Sequence, residues 1–181
     1  DYNFSFFNLL LRITKENELD TSNVINLVSS NYDRMPFLKP GPVSGPCLTK
    51  DSIILSSSIN DKTVSNVLKE TRNINKEVVD IATEDIKKIK EKINPSRVLF
   101  VGLTFKNSPF TTDTRDSHSI ELINNLKNEF KFSIYDPFTD NNSKILFKDN
   151  FITTLDKINF SLVVFCNTQK WVLELYAKVF K

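Results

Sequence analysis

Glycine is almost missing from this chain, with 3 residues in 181. No stretch can therefore be a glycine-rich phosphate loop, which needs several glycines in close succession. Cysteine is as scarce. Cys47 and Cys166 lie too far apart for a disulfide framework or a zinc spacing, so a reducing cytoplasm is the expected compartment. Net charge is small, at +2, which gives no field to draw the protein to nucleic acid or to a membrane surface. No apolar run approaches the roughly 18 residues that a membrane span requires. Phe4–Leu11 is apolar, but Asn8 interrupts it and no basic segment precedes it, so it makes a poor signal peptide.

What remains is an ordinary globular composition, 40% apolar and 25% charged, with 15 phenylalanines to serve a core. The first residue is Asp1, and the chain opens inside a helical pattern. Both features read as a fragment, a processed product or a partial gene.

Against this scarcity, the stretch Lys39–Asp51 stands out. It holds two of the three glycines, three of the seven prolines and one of the two cysteines. Pro40, Pro42 and Pro46 exclude a helix or a central strand. Gly41 and Gly45 are expected where a Cβ would block the backbone. The product is a stiff loop presenting Cys47, with Lys50 and Asp51 close behind. A thiol becomes reactive as a thiolate, and Lys50 is a cation near enough in sequence to favour one. The alternative is a buried structural cysteine in a proline-rich turn.

Apolar spacing predicts helices over about 3–18 and 21–30, the second capped from Asp20-Thr21-Ser22. A polar turn follows over 31–36. Ile53–Leu55 is a short apolar run. Residues 62–93 read as one long helix with a stripe through Val64, Val67, Leu68, Ile74, Val78, Ile81, Ala82, Ile86, Ile89 and Ile93, ended by Pro95. Beyond it the period changes. Val98–Gly102 and Leu162–Phe165 read as buried strands, and Phe132–Tyr135 as a strand stopping at Asp136-Pro137. Helices are expected over 119–126 and 171–180, and a polar connection over 141–150. Strands alternating with helices point to a parallel, doubly wound α/β sheet.

Ligands of such sheets sit beyond the carboxyl ends of the strands, which directs attention to Gly102–Ser117. There Lys106 and Arg115 suit an anionic group, and Phe105 suits a flat ring. The bland reading is a solvated loop with Ser117 as a helix cap. Gly102 stands alone, so a nicotinamide dinucleotide is not expected on this half. His118, the one histidine, reads as a surface residue rather than a base. Cys166, ending a strand, reads as structural.

Three segments, in order, carry a resemblance. They are Pro40-Gly41-Pro42-Val43-Ser44-Gly45-Pro46-Cys47-Leu48-Thr49-Lys50-Asp51; Gly102-Leu103-Thr104-Phe105-Lys106 followed by Asp113-Thr114-Arg115-Asp116-Ser117; and Tyr135-Asp136-Pro137. Together they resemble the nucleotide-sugar dehydrogenases, the UDP-glucose and UDP-N-acetylhexosamine 6-dehydrogenase family. Asn8 and Asp20 match the spacing on that family's central helices, and Arg72, Ile74 and Asn75 look like its linker helix. Three departures stand out: the first loop lacks one glycine-type position, Pro46 replaces a usual His or Ser before Cys47, and the second loop is about two residues longer, with Pro109 and Phe110.

The resemblance implies an α/β fold. An all-helical central dimerisation region over 1–94 is joined by a long helix to a Rossmann-like, doubly wound parallel sheet over 95–181, whose last strand falls after Lys181. It implies oxidation of the C6 alcohol of a UDP-sugar to a uronate, with NAD accepting hydride and Cys47 as covalent nucleophile. Asp51 is implied to assist water or a lysine. Arg34, Phe37, Leu38, Lys39, Gly41, Phe105, Lys106 and Arg115 are implied to contact substrate, Arg34 across a homodimer. The family's NAD-binding domain has no counterpart in the sequence, so the chain alone is not expected to turn over. The rival class is a non-catalytic UDP-sugar-binding or dimerisation module. A receiver-like domain is excluded, because the strand ends lack clustered acids.

Overall fold

The structure is a computed structural model and describes all residues except 33, 35–36, 156–159 and 180–181. Asp33, Met35 and Pro36 of the expected polar turn, and Phe180 of the expected last helix, thus lie outside the described residues. The chain divides into two compact units. The first comprises Asp1–Val43 and Cys47–Val78; the second comprises Ser44–Pro46 and Val79–Lys181.

The first unit is helical. α1 (Tyr2–Glu16) and α2 (Thr21–Ser29) are followed by α3 (Asp51–Ser58) and by α4 (Lys62–Ile93), which belongs to this unit as far as Val78. Polar caps set the starts. The Asp20 carboxylate accepts from Asn23 N at 2.7 Å, and that of Asp61 from Thr63 N at 2.8 Å. Phe7 is buried and meets Phe37 edge-on, with ring centroids 5.9 Å apart.

The stripe read along α4 is only partly the buried face. Val64, Val67, Ile89 and Ile93 are exposed, while Ser65, Thr71, Asn75 and Thr83 are buried beside Val78, Val79 and Ile86. The reason is hydrogen bonding. Ser65 Oγ donates to Ser56 O at 2.9 Å, and Asn8 Nδ2 donates to Asn75 Oδ1 at 2.9 Å, so polar residues turn inward. Ile53, Ile54 and Leu55 lie on α3 and are exposed.

The second unit is a three-stranded parallel sheet, in the order β2–β1–β3. β1 is Val98–Val101, β2 Phe132–Tyr135 and β3 Leu162–Phe165. β1 is central and wholly buried, as its unbroken apolar run requires. Val98 and Phe100 face a cluster with Val79, Ile86, Leu122, Ile123 and Leu126, from α4 and α5 (His118–Leu126). Leu99 and Val101 face Val172, Trp171 and Leu175 of α7 (Lys170–Val179). Helices therefore cover both faces, the doubly wound α/β arrangement. Each fully buried side chain of this kind contributes about 1.5–3 kcal/mol. The connection over 141–150 is not irregular. It forms α6 (Asn141–Leu146) and a 3-10 turn (Lys148–Asn150), with Asp140 capping α6 through Ser143 N at 2.8 Å.

Candidate functional site

In the first unit, the proline–glycine loop is held by two side chains on the helices. Asn8 is fully buried on α1. Its Oδ1 accepts from Gly41 N at 2.9 Å and its Nδ2 donates to Gly41 O at 3.1 Å, so a side-chain amide pairs with a backbone residue as a neighbouring strand would. Asn75 Nδ2 in turn donates to Asp1 O at 3.1 Å, which fixes which way the Asn8–Asn75 pair points. From α4, Arg72 Nη1 donates to Val43 O at 3.3 Å. Beyond this anchorage the chain makes a tight turn into α3. Cys47 O accepts from Lys50 N at 3.3 Å and from Asp51 N at 3.0 Å. Cys47 is exposed, which excludes the reading of it as a buried structural cysteine. Asp51 is the first residue of α3, one helical turn after Cys47, and Arg34 and Lys39 are exposed. Phe37 packs on Phe7 and Tyr32, while Leu38 is half-buried.

Gly41 does not meet the expectation placed on it. Nothing lies within 4 Å of a Cβ built there, so the space beside it is open. Gly45 does meet it. Its φ is +95°, and a Cβ would stand 2.6 Å from a ring carbon of Phe105.

In the second unit, the turn after β1 is over-determined by hydrogen bonds. Asp136, at the end of β2, accepts from Leu103 N at 2.7 Å and from Phe138 N at 3.0 Å. Burial pushes its carboxyl above the ordinary value, and these backbone donors oppose the rise. Ser117 Oγ donates to Leu103 O at 2.6 Å. Gln169, buried after β3, places Nε2 within 2.8 Å of Thr104 Oγ1, 3.0 Å of Lys106 O and 3.1 Å of Thr111 O. Lys106 Nζ lies 5.5 Å from the centroid of the Phe105 ring. Arg115 Nη2 bonds Asp113 Oδ2 at 2.7 Å, and this bond holds the Asp113 carboxyl below its usual value. Arg115 thus braces its own loop. Phe110 of the longer loop, with Phe138 and Trp171, lines a groove of about 700 Å³.

Two residues went unrecognised in the sequence. Gln169 and Asn167 follow β3 at its carboxyl end, which is the signal that pointed to Gly102–Ser117 after β1. His118 is a correction. It is not a free surface residue: its two ring nitrogens lie 2.8 Å from Ser44 Oγ and 2.8 Å from Cys166 O, and burial lowers its pKa. Cys166 packs against the core, and desolvation pushes its thiol up to about 12.

The turn does not fit a dinucleotide. A Cβ on Gly102 would stand 2.6 Å from Asn167 Nδ2, so an amide fills the close approach that a pyrophosphate would need. Among the described residues, no three of His, Cys, Asp or Glu cluster to hold a metal, and no helix is long and apolar enough to cross a membrane.

Residues 1–77 match the UDP-glucose/GDP-mannose dehydrogenase family, central domain. No curated protein matches the chain in sequence. Among solved structures, the chain is similar to a UDP-D-ManNAc dehydrogenase from Pyrococcus horikoshii, with a TM-score of 0.75 and 22% identity over 94% of this chain and 39% of that one. It is similar to the UDP-N-acetyl-mannosamine dehydrogenase Cap5O from S. aureus, with a TM-score of 0.73 and 22% identity over 92% of this chain and 38% of that one. It is also similar to a GDP-mannose dehydrogenase from Pseudomonas aeruginosa, with a TM-score of 0.60 and 20% identity over 97% of this chain and 43% of that one. The chain therefore spans well under half the length of these structures, and at such identities the likeness shows the fold.

Proposed function

We propose, because residues 1–77 match the UDP-glucose/GDP-mannose dehydrogenase family, central domain, and the chain has the fold of nucleotide-sugar dehydrogenases, that it is part of an NAD-dependent UDP-sugar 6-dehydrogenase. The observation that carries this reading is the exposed thiol of Cys47, at the end of a loop that Asn8 and Arg72 anchor. In this reading Cys47, as thiolate, adds through sulfur to the carbonyl carbon of a C6 aldehyde. The carbonyl oxygen takes up a proton, giving a thiohemiacetal. At the later thioester, water attacks the acyl carbon; sulfur leaves as thiolate and the sugar leaves as a uronate. Asp51 orients that water or a neighbouring lysine.

Phe105 and Lys106 contact the uridine and the diphosphate, and Phe37, Leu38, Lys39 and Gly41 line the sugar nucleotide. Arg115 braces the second loop, and Arg34 reaches the substrate of a second copy. NAD, held by chain outside these residues, would supply the acceptor for two hydrides, one lost in forming the aldehyde and one between thiohemiacetal and thioester. Homodimerisation is supported by Tyr2, Phe6 and Val67, exposed at 65%, 57% and 46% beside a groove of about 420 Å³ on α1 and α4.

The test is alkylation of Cys47 by iodoacetamide, with and without UDP-glucose or UDP-N-acetylglucosamine. One of the two sugars should slow the reaction at Cys47. Equal rates with both sugars and without would contradict the assignment. Incubation of the chain with NAD and either sugar should yield no NADH.

A further inference from the structure

His118 joins three pieces of chain that are remote in sequence, all within the second unit. One ring nitrogen, Nε2, faces the carbonyl oxygen of Cys166 at 2.8 Å. The other, Nδ1, faces Ser44 Oγ at 2.8 Å, and Ser44 Oγ donates to Phe105 O at 2.9 Å. A carbonyl can only accept, so Nε2 must carry the proton. Burial disfavours the charged ring, so Nδ1 is then an acceptor, and the one Ser44 hydroxyl hydrogen is shared between Nδ1 and Phe105 O. The neighbouring residue is fixed as well. Gly45 N donates to Asp116 O at 3.2 Å, and a Cβ built on Gly45 would stand 2.6 Å from a ring carbon of Phe105. Pro46 and then Cys47 follow directly in the chain.

We propose that His118 is a positioning residue: acting through Ser44, it pins Ser44–Pro46 to the ends of β1 and β3 and so fixes the backbone that leads into Cys47. Its importance to the reaction rests on the reading of Cys47 as the nucleophile. The pin itself does not.

The test uses the 181-residue chain. Nitrogen-15 spectroscopy of the His118 ring at neutral pH should find the proton on Nε2; a proton on Nδ1 would overturn the proposal. Amide exchange at Gly45 is then compared with that at Val101 in the core. His118→Gln still reaches Cys166 O but loses Ser44. Ser44→Ala loses the same bond from the other side, together with the donation to Phe105 O. Each should speed Gly45 exchange about three- to tenfold, the worth of one hydrogen bond, and leave Val101 unchanged. The double variant should be no faster than Ser44→Ala alone, because that change already removes the shared interaction. His118→Asn still reaches Ser44 and should restore most of the protection. Additive effects, or unchanged Gly45 exchange in Ser44→Ala, would overturn the pin. If Gly45 responds as expected but no UDP-sugar slows alkylation of Cys47, the pin stands and the functional reading falls.

Discussion

Replacing Asn8 with Ala should destabilise the first unit more than any surface change, and the hydrogen bonds say by how much. Asn8 is 0% exposed and makes three bonds: Oδ1 with Gly41 N at 2.9 Å, Nδ2 with Gly41 O at 3.1 Å, and Nδ2 with Asn75 Oδ1 at 2.9 Å. At about 1 kcal/mol net for each, the loss is about 3 kcal/mol. Urea unfolding, read by exchange of the α1 and α2 amides so that it reports this unit alone, should then shift its midpoint down by about 1.5 M for a slope of about 2 kcal/mol/M. Asn8→Asp sharpens the test. It keeps the acceptor for Gly41 N but sets a carboxylate oxygen against two acceptors, Gly41 O and Asn75 Oδ1. Asn75 cannot turn over to help without giving up its donation to Asp1 O. At neutral pH Asn8→Asp should therefore be at least as damaging as Asn8→Ala. Acid should narrow the gap, because a protonated carboxyl regains one donor. A midpoint shift below about 0.5 M for Asn8→Ala, or an Asp variant indifferent to pH, would refute the clamp.

The two loop glycines should behave oppositely. Gly45→Ala meets a positive φ and the Phe105 ring at 2.6 Å and should cost about 1–2 kcal/mol in thermal or chemical unfolding, while Gly41→Ala, facing open space, should stay within about 0.5 kcal/mol. His118 has a folded pKa lowered from 6.5 by burial, so its contribution to stability is complete above pH 6.5. Below that the unfolded chain takes up the proton first, and the contribution is lost as pH falls through the folded value; a midpoint series across this window should show the decline in the native chain and its absence in His118→Gln. In native protein Cys47 should react with iodoacetamide while Cys166, its thiol pushed up to about 12, stays unmodified until urea unfolds the chain.

Local chemistry was readable wherever one stretch of chain determines it. Val98–Val101 announces a central strand because burial on both faces leaves no polar position. α4 spans Lys62–Ile93, as its apolar spacing and Pro95 beyond it lead one to expect. The loop around Cys47 was readable from its prolines, while the exposure of the thiol was not, since a buried cysteine in a proline-rich turn fitted the same residues. What could not be read depends on partners far along the chain. Asn75 turns a polar face of α4 inward for a residue 67 positions away, and His118 binds partners 74 and 48 positions away. No spacing rule reaches that far. α6 was missed for another reason: six residues give too short a window for a helical period, and its one signal is the Asp140 cap.

The central claim is that this fold binds a uridine diphosphate sugar through the loop after β1. Isothermal titration of the chain with UDP, UDP-glucose and UDP-N-acetylglucosamine, repeated on Lys106→Ala, tests it most directly. The account predicts saturable binding that weakens about tenfold or more when the Lys106 ammonium is removed. Absence of binding heat from all three ligands, or equal affinity in Lys106→Ala, would contradict it.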